Sequence, residues 1–142
     1  EAVQECLNHN YKYSVSSPCI EIWFIMHLVK IDSLIKPFQT PLLNNPIFFI
    51  RKNRRKTKVQ FCESYLNFLL QTYLGKDTAY EKNSALPDDF FNKERINFAI
   101  EQAKEIEEKI KDPEYRYPTS HIGSQLYQLL ESFLKFNEEN KQ

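Results

Sequence analysis

Tyr11-Lys12-Tyr13-Ser14-Val15-Ser16-Ser17-Pro18-Cys19-Ile20-Glu21-Ile22-Trp23-Phe24-Ile25-Met26-His27-Leu28-Val29 is the stretch on which the fold turns. Its first five residues alternate large apolar with polar side chains, the period of a strand. Ser17-Pro18 then reads as a helix start, with serine as N-cap and proline at the first helical position. The run from Cys19 to Val29 is apolar nearly all round, as expected of a helix packed inside an α/β layer. Upstream, Ala2, Val3, Cys6 and Leu7 share a helical face, so the unit reads helix, strand, helix. A strand needs neighbours for its backbone donors and acceptors, and no other segment offers a pattern of comparable quality. Its partners are therefore expected before Glu1. On this reading residues 1–36 are the C-terminal end of an α/β domain and residues 37–142 a mostly α-helical extension. The chain opens without an initiator methionine, which agrees with a fragment or a processed product. A small all-helical domain with a frayed N-terminus is the alternative.

Beyond this stretch, Pro37, Pro41, Asn44, Asn45 and Pro46 break the chain, and Ile47 to Ile50 is a short apolar segment of either type. From about Lys58 to Leu74, Cys62, Tyr65, Leu66, Leu69 and Tyr73 recur at helical spacing, and Gly75 supplies the stop. The aromatics Tyr65, Phe68 and Tyr73 are expected mostly in the core. Pro87-Asp88-Asp89 is expected to open a helix with the stripe Ile96, Ala99, Ile100, Ala103, Ile106 and Ile110, closed by Asp112-Pro113. A last helix follows Pro118-Thr119-Ser120, with Ile122, Leu126, Leu129, Leu130 and Phe133 on one face.

Composition narrows the chemistry. The 142 residues are 42% apolar and 27% charged, with 19 basic and 19 acidic side chains, as in a soluble folded domain. The two glycines, Gly75 and Gly123, stand apart, so no phosphate-cradling glycine loop exists in this chain. Cys6, Cys19 and Cys62 are odd in number and form no CxxC pair, which argues for a reducing, cytoplasmic compartment and against a disulfide scaffold. The longest apolar stretch falls far short of the ~20 residues of a bilayer span, so no membrane association is expected. Net charge is zero, yet Arg51-Lys52-Asn53-Arg54-Arg55-Lys56-Thr57-Lys58 holds six cations in eight positions without an acid. Six such charges, followed by Phe61 and Tyr65, suit a phosphate backbone with bases to stack. A solvated loop, or a patch for an acidic partner, is the plainer reading of the same residues.

Two residues carry candidate chemistry. Glu21 falls in the first turn of the apolar helix, directly after the strand, where ligands of open α/β sheets bind. A carboxylate there needs a cation, a metal or hydrogen-bond donors to stay ionised. Alternatively it only stabilises the helix N-terminus. His27 lies six residues on, roughly 600° around the axis, so the two form no side-by-side dyad. His27 either packs beside Trp23, donating to a backbone carbonyl, or acts as a general acid or phosphate contact. No HxxxH, HExxH or DxD occurs, so a self-sufficient metal site is not expected.

Ser16-Ser17-Pro18-Cys19-Ile20-Glu21-Ile22-Trp23, leading to His27-Leu28, resembles the RloB-like family of prokaryotic proteins, whose signature is Ser-Asn-Pro-Cys-Phe-Glu-Leu-Trp running to Leu-His-Phe. Tyr80-Glu81-Lys82-Asn83 is similar to a family Tyr-x-Lys-Asn element, and Pro118-Thr119-Ser120 to its closing Asn-Pro-Ser-Thr. The resemblance implies a phage-defence protein, paired with an ATPase or encoded near restriction genes, with a Toprim-like nuclease fold at its N-terminus. An early glutamate and a later DxD would carry Mg²⁺ and would lie before Glu1. Residues 1–36 would then hold the last strand and flanking helices of a Toprim-like sheet. Pro18, Cys19, Glu21, Trp23 and His27 match position by position, while Ser17, Ile20 and Tyr117 depart from the pattern. The implied roles are catalysis for Glu21 and His27, metal contact for Glu21, and packing of the motif for Pro18, Cys19 and Trp23. Arg51, Lys52, Arg54, Arg55, Lys56 and Lys58 would hold nucleic acid. The competing expectation is a non-catalytic helical module that docks a partner ATPase or a second copy.

Overall fold

Ser16 and Ser17 form a two-residue strand, β1 (Ser16–Ser17), before a cis Ser17–Pro18 peptide and the helix α1 (Glu21–Met26). The computed structural model describes residues 4–5, 8–9, 16–34, 36–75, 80, 86–109 and 123–139. The N-terminal face of Ala2, Val3, Cys6 and Leu7, the Tyr11 to Val15 alternation, Glu81-Lys82-Asn83, Ile110, Asp112-Pro113 and the segment from Tyr117 to Ile122 lie outside the described residues, as do the side chains of Lys52 and Phe133. A 3₁₀ turn at Ile31–Ser33 is followed by α2 (Lys36–Asn44), β2 (Ile47–Lys52), β3 (Arg55–Gln60), α3 (Phe61–Leu74), α4 (Lys93–Glu108), β4 (Gly123–Ser124) and α5 (Leu126–Glu139). The strands pair antiparallel, β1 with β4 and β2 with β3. The protein is thus mixed α/β, with its core carried by helices.

Although α1 has only six residues, five of them, Glu21, Ile22, Trp23, Ile25 and Met26, are buried. It packs against α3 and α4, whose inward faces supply Cys62, Leu66, Leu69 and Leu70, and Ala99, Ile100, Ala103 and Ile106. The part of the apolar run that forms α1 is therefore buried, chiefly between helices, while Ile20 just before it is 41% exposed and Leu28 and Val29 after it are partly buried. Gln102 closes the end of α1. Its amide nitrogen donates to the carbonyls of Met26 and Val29, and its amide oxygen accepts from the Ile31 N–H. These are backbone groups that a helix end leaves without partners.

Helix starts differ from the sequence expectation for one recurring reason: another local structure claims the residues expected to open the helix. Ser17 does not cap α1. Its backbone pairs with Gly123 in β1–β4, and the helix begins at Glu21 with no side-chain cap. Lys58, Val59 and Gln60 extend β3 opposite Phe49, Phe48 and Ile47, so α3 begins at Phe61. Pro87 opens a turn in which its carbonyl accepts from the Phe90 N–H, which sends Phe90 into the core. The cap of α4 is Asn92, whose side chain accepts from the Arg95 N–H at 2.8 Å. The stop at Gly75 stands as expected, with φ of 60°, a left-handed conformation that glycine adopts without Cβ strain. In α5, Leu126 and Leu130 pack against the core as expected, joined by the buried Tyr127, whose hydroxyl donates to Glu107, whereas Leu129 is 42% exposed.

The expectation of a single good strand is corrected. The segment read as uncertain and the basic run after it form one hairpin, in register from Ile47 opposite Gln60 to Lys52 opposite Arg55. Its two central turn residues, Asn53 and Arg54, have φ of 53° and 63°, as a type I′ turn requires. The strand β1, moreover, is paired with Gly123 and Ser124 from late in the same chain. The Ser16 and Ser124 hydroxyls lie 2.7 Å apart across this pair.

Candidate functional site

Glu21 enters the interior because it occupies the first turn of a helix enclosed by α3 and α4. Its side chain is 1% exposed. The Tyr80 hydroxyl donates to Oε1 at 3.3 Å, and Oε2 has no hydrogen-bond partner. Tyr80 is fixed in turn by Asn67 of α3, whose amide donates to the Tyr80 carbonyl at 3.1 Å and accepts from its N–H. Burial, reinforced by the negative charge of Glu21, pushes the Tyr80 phenol up to about 12. The phenol therefore stays protonated and donates to the carboxylate at any physiological pH.

His27 follows the last turn of α1 and is 2% exposed. Its Nδ1–H donates to the Trp23 carbonyl at 2.7 Å. A carbonyl only accepts, so the neutral ring carries its proton on Nδ1 and leaves Nε2 as a lone pair, which has no partner. The ring meets Trp23 edge-on at 4.9 Å and Phe91 edge-on at 5.3 Å, and tilts over Phe90 at 5.4 Å. Burial lowers the imidazole from 6.5 to about 4, against the opposing effect of the backbone hydrogen bond. His27 also lines an apolar cavity of about 520 Å³ with Trp23, Phe91, Ile96, Leu126, Leu129 and Leu130.

Glu21 and His27 thus serve separate surroundings. Between them stands Phe24, whose ring is edge-on to Tyr80 on one side and to Phe90 and Phe91 on the other. Of the other motif residues, Trp23 is in the core, Cys19 is a half-buried free thiol packed against it, and Pro18 is half-buried beyond the cis peptide.

As a holder of Mg²⁺, Glu21 fits in one respect and falls short in another. An unpartnered buried carboxylate oxygen is what a single metal ligand offers, and Mg²⁺ uses one or two protein carboxylates together with water and phosphate oxygens. Among the described residues, however, no three His, Cys, Asp or Glu side chains come together. Glu21 suits one ligand of a shared site and does not build a site by itself.

The basic residues form the far half of the β2–β3 ribbon. Arg51, Arg54, Arg55, Lys56 and Lys58 are all exposed, and Lys52 lies in β2 beside the turn. Cross-strand partners share a face, so Phe49 with Lys58 and Arg51 with Lys56 lie on one side, and Ile50 with Thr57 on the other, where Arg55 also falls. The Lys56 ammonium sits over the Phe49 ring at 4.6 Å, a cation–π contact. The expectation that Phe68 and Tyr73 are core is corrected, since they are 60% and 59% exposed on α3. Phe61 and Tyr65, expected to offer stacking faces, are stacked on each other at 6.2 Å, and Tyr65 stacks on Phe68 at 6.3 Å.

Two structural residues escape sequence reading. Gln102 is polar but lies three residues after Ala99 and four before Ile106, on the apolar stripe, and that position is its signal. Tyr80 as the partner of Glu21 has no local signal, because 59 residues separate them. No helix of the described residues is long and apolar enough to cross a membrane. Comparison with curated proteins and with solved structures returns no match. The family model described as RloB-like protein matches residues 1–133, nearly the whole length, and the chain belongs to the RloB-like family.

Proposed function

We propose that this chain is the nucleic-acid-holding C-terminal part of a Mg²⁺-dependent, phosphodiester-cleaving protein of prokaryotic phage defence. The observation that carries the reading is the β2–β3 ribbon, which presents five exposed cationic side chains with no acid between them. No ion pair among the described residues engages any of the five. A polyanion is the partner whose charge such a surface complements, through neutralised phosphates and released counterions.

Within this reading Glu21 contributes one carboxylate to a metal whose remaining ligands come from a Toprim-like centre outside these residues. The metal, when bound, would polarise the scissile phosphate. Tyr80 holds the carboxylate in place through its phenol, and Phe24 together with the burial of α1 keeps bulk water from it. His27, neutral and packed, fixes the end of α1.

The test is Glu21→Gln in the complete protein. The amide keeps the shape and the hydrogen bond from Tyr80 but loses the charge. Mg²⁺-dependent cleavage should fall by at least about 100-fold while nucleic-acid binding is kept, as expected when charge stabilisation in the transition state is removed. Unchanged cleavage would remove Glu21 from the chemistry. The docking-module reading is favoured by the apolar cavity bounded by Leu126, Leu129 and Leu130. It predicts that capture of a partner ATPase survives Glu21→Gln and fails when Leu129 is changed to Asp.

A further inference from the structure

The ribbon says more than that a polyanion binds. Phe49, Ile50, Arg51 and the residues from Asn53 to Lys58 are exposed, on both faces of the ribbon, so this part stands off the helical body. At ~3.4 Å per residue, four residues on each strand reach roughly 14 Å, more than the ~8.5 Å depth of a B-form major groove. That groove is ~12 Å wide and admits a two-stranded ribbon, whereas the major groove of duplex RNA is too narrow and deep.

The tip carries a second signal. Position 54 has φ of 63°, a conformation in which glycine is unstrained, and the chain places arginine there. Local backbone preference is set aside at the point of the ribbon that reaches furthest. The aromatic faces on the ribbon and at the start of α3, next to the basic run, are at the same time largely taken, while Tyr73 further along α3 stays 59% exposed. Lys56 covers Phe49, and Phe61, Tyr65 and Phe68 stack among themselves. Open stacking platforms are what single-stranded nucleic acid requires.

We infer that the β2–β3 ribbon enters the major groove of duplex DNA, tip first, with the face of Arg51, Lys56 and Lys58 turned to the DNA and Arg54 leading. This rests on the nucleic-acid reading above and narrows it to one kind of duplex and one face of one hairpin. Phosphate contacts by these side chains position the ribbon, and base edges lie within reach of Arg54.

The experiment measures equilibrium binding of the full chain to a short DNA duplex, the RNA duplex of the same sequence and the corresponding single DNA strand, across a salt series. The DNA duplex should bind at least about tenfold tighter than either competitor. Arg51→Ala, Lys56→Ala and Lys58→Ala should each reduce the slope of log affinity against log salt by about one, and Arg55→Ala by clearly less. Arg54→Gly, which suits the turn, should weaken DNA binding several-fold with the fold intact by circular dichroism. RNA or single-strand binding as tight as duplex DNA, with the same dependence on the ribbon, overturns the groove assignment and leaves nucleic-acid holding in place. An Arg55→Ala loss equal to that of Arg51→Ala overturns the face assignment. Failure of all three nucleic acids to bind, or binding indifferent to every ribbon substitution, overturns the nucleic-acid reading itself.

Discussion

The α1 segment and the β2–β3 ribbon are built from similar apolar residues and end in opposite situations. Ile22, Ile25 and Met26 are wholly enclosed, whereas Phe49 and Ile50 are 58% and 40% exposed. The difference lies in neighbours. Beside α1, α3 and α4 turn apolar faces inward and Gln102 satisfies the backbone at its end. Beside Phe49 and Ile50 the chain places lysine, arginine and threonine, which pack poorly and hold water. Substitutions in α1 should therefore register in stability, and those in the ribbon in binding.

The largest expected effect belongs to Trp23→Ala. It removes a core indole together with the edge contact that holds His27, and should cost about 4 kcal/mol in urea unfolding. A loss below about 1 kcal/mol would mean that α1 is not the tight element its burial indicates. Next comes pH. The folded His27 imidazole titrates at about 4 and the unfolded one near 6.5. Between these values the unfolded chain binds the extra proton, so stability is fully present above pH 6.5 and is lost as pH falls toward 4. The expected loss from this group is about 3 kcal/mol. In His27→Phe the pH dependence between 6.5 and 4 should be shallower by that amount, and an identical profile would refute a neutral, buried imidazole. The smallest effect is the most telling for the comparison. Arg54→Gly relieves a left-handed arginine and should leave stability unchanged or raise it by about 1 kcal/mol. A destabilised variant would show that the arginine side chain supports the fold rather than a partner.

Much of the helical part was legible because its signals are local. The α4 stripe of Ala99, Ile100, Ala103 and Ile106, the stop at Gly75 and the approach of His27 to Trp23 each need only a few neighbouring residues. The hairpin was hidden for two reasons. Asn53-Arg54 lacks the glycine that usually marks a two-residue turn, and in Arg55-Lys56-Thr57-Lys58 both faces are polar, so no apolar alternation marks most of β3 as a strand. Two helix starts differ because Ser17 is a good cap and Pro87 a good first helical residue in isolation, whereas strand pairing claims the one and a turn preceding the helix claims the other.

By itself the sequence determined the buried motif helix, the polar residues embedded in it, the concentration of positive charge and the membership of the RloB-like family. The first three follow from composition and from periodicities of a few residues, and the last from the match of the family model over residues 1–133. Only the tertiary structure decided that Ser16 and Ser17 pair with Gly123 and Ser124, that Tyr80 reaches Glu21, that Gln102 closes α1 and that Arg51, Lys56 and Lys58 share one ribbon face while Arg55 falls on the other. The long-range pairings join residues 59 to 108 positions apart, and packing alone brings them together. The ribbon face depends on cross-strand register, which a string of charges does not reveal.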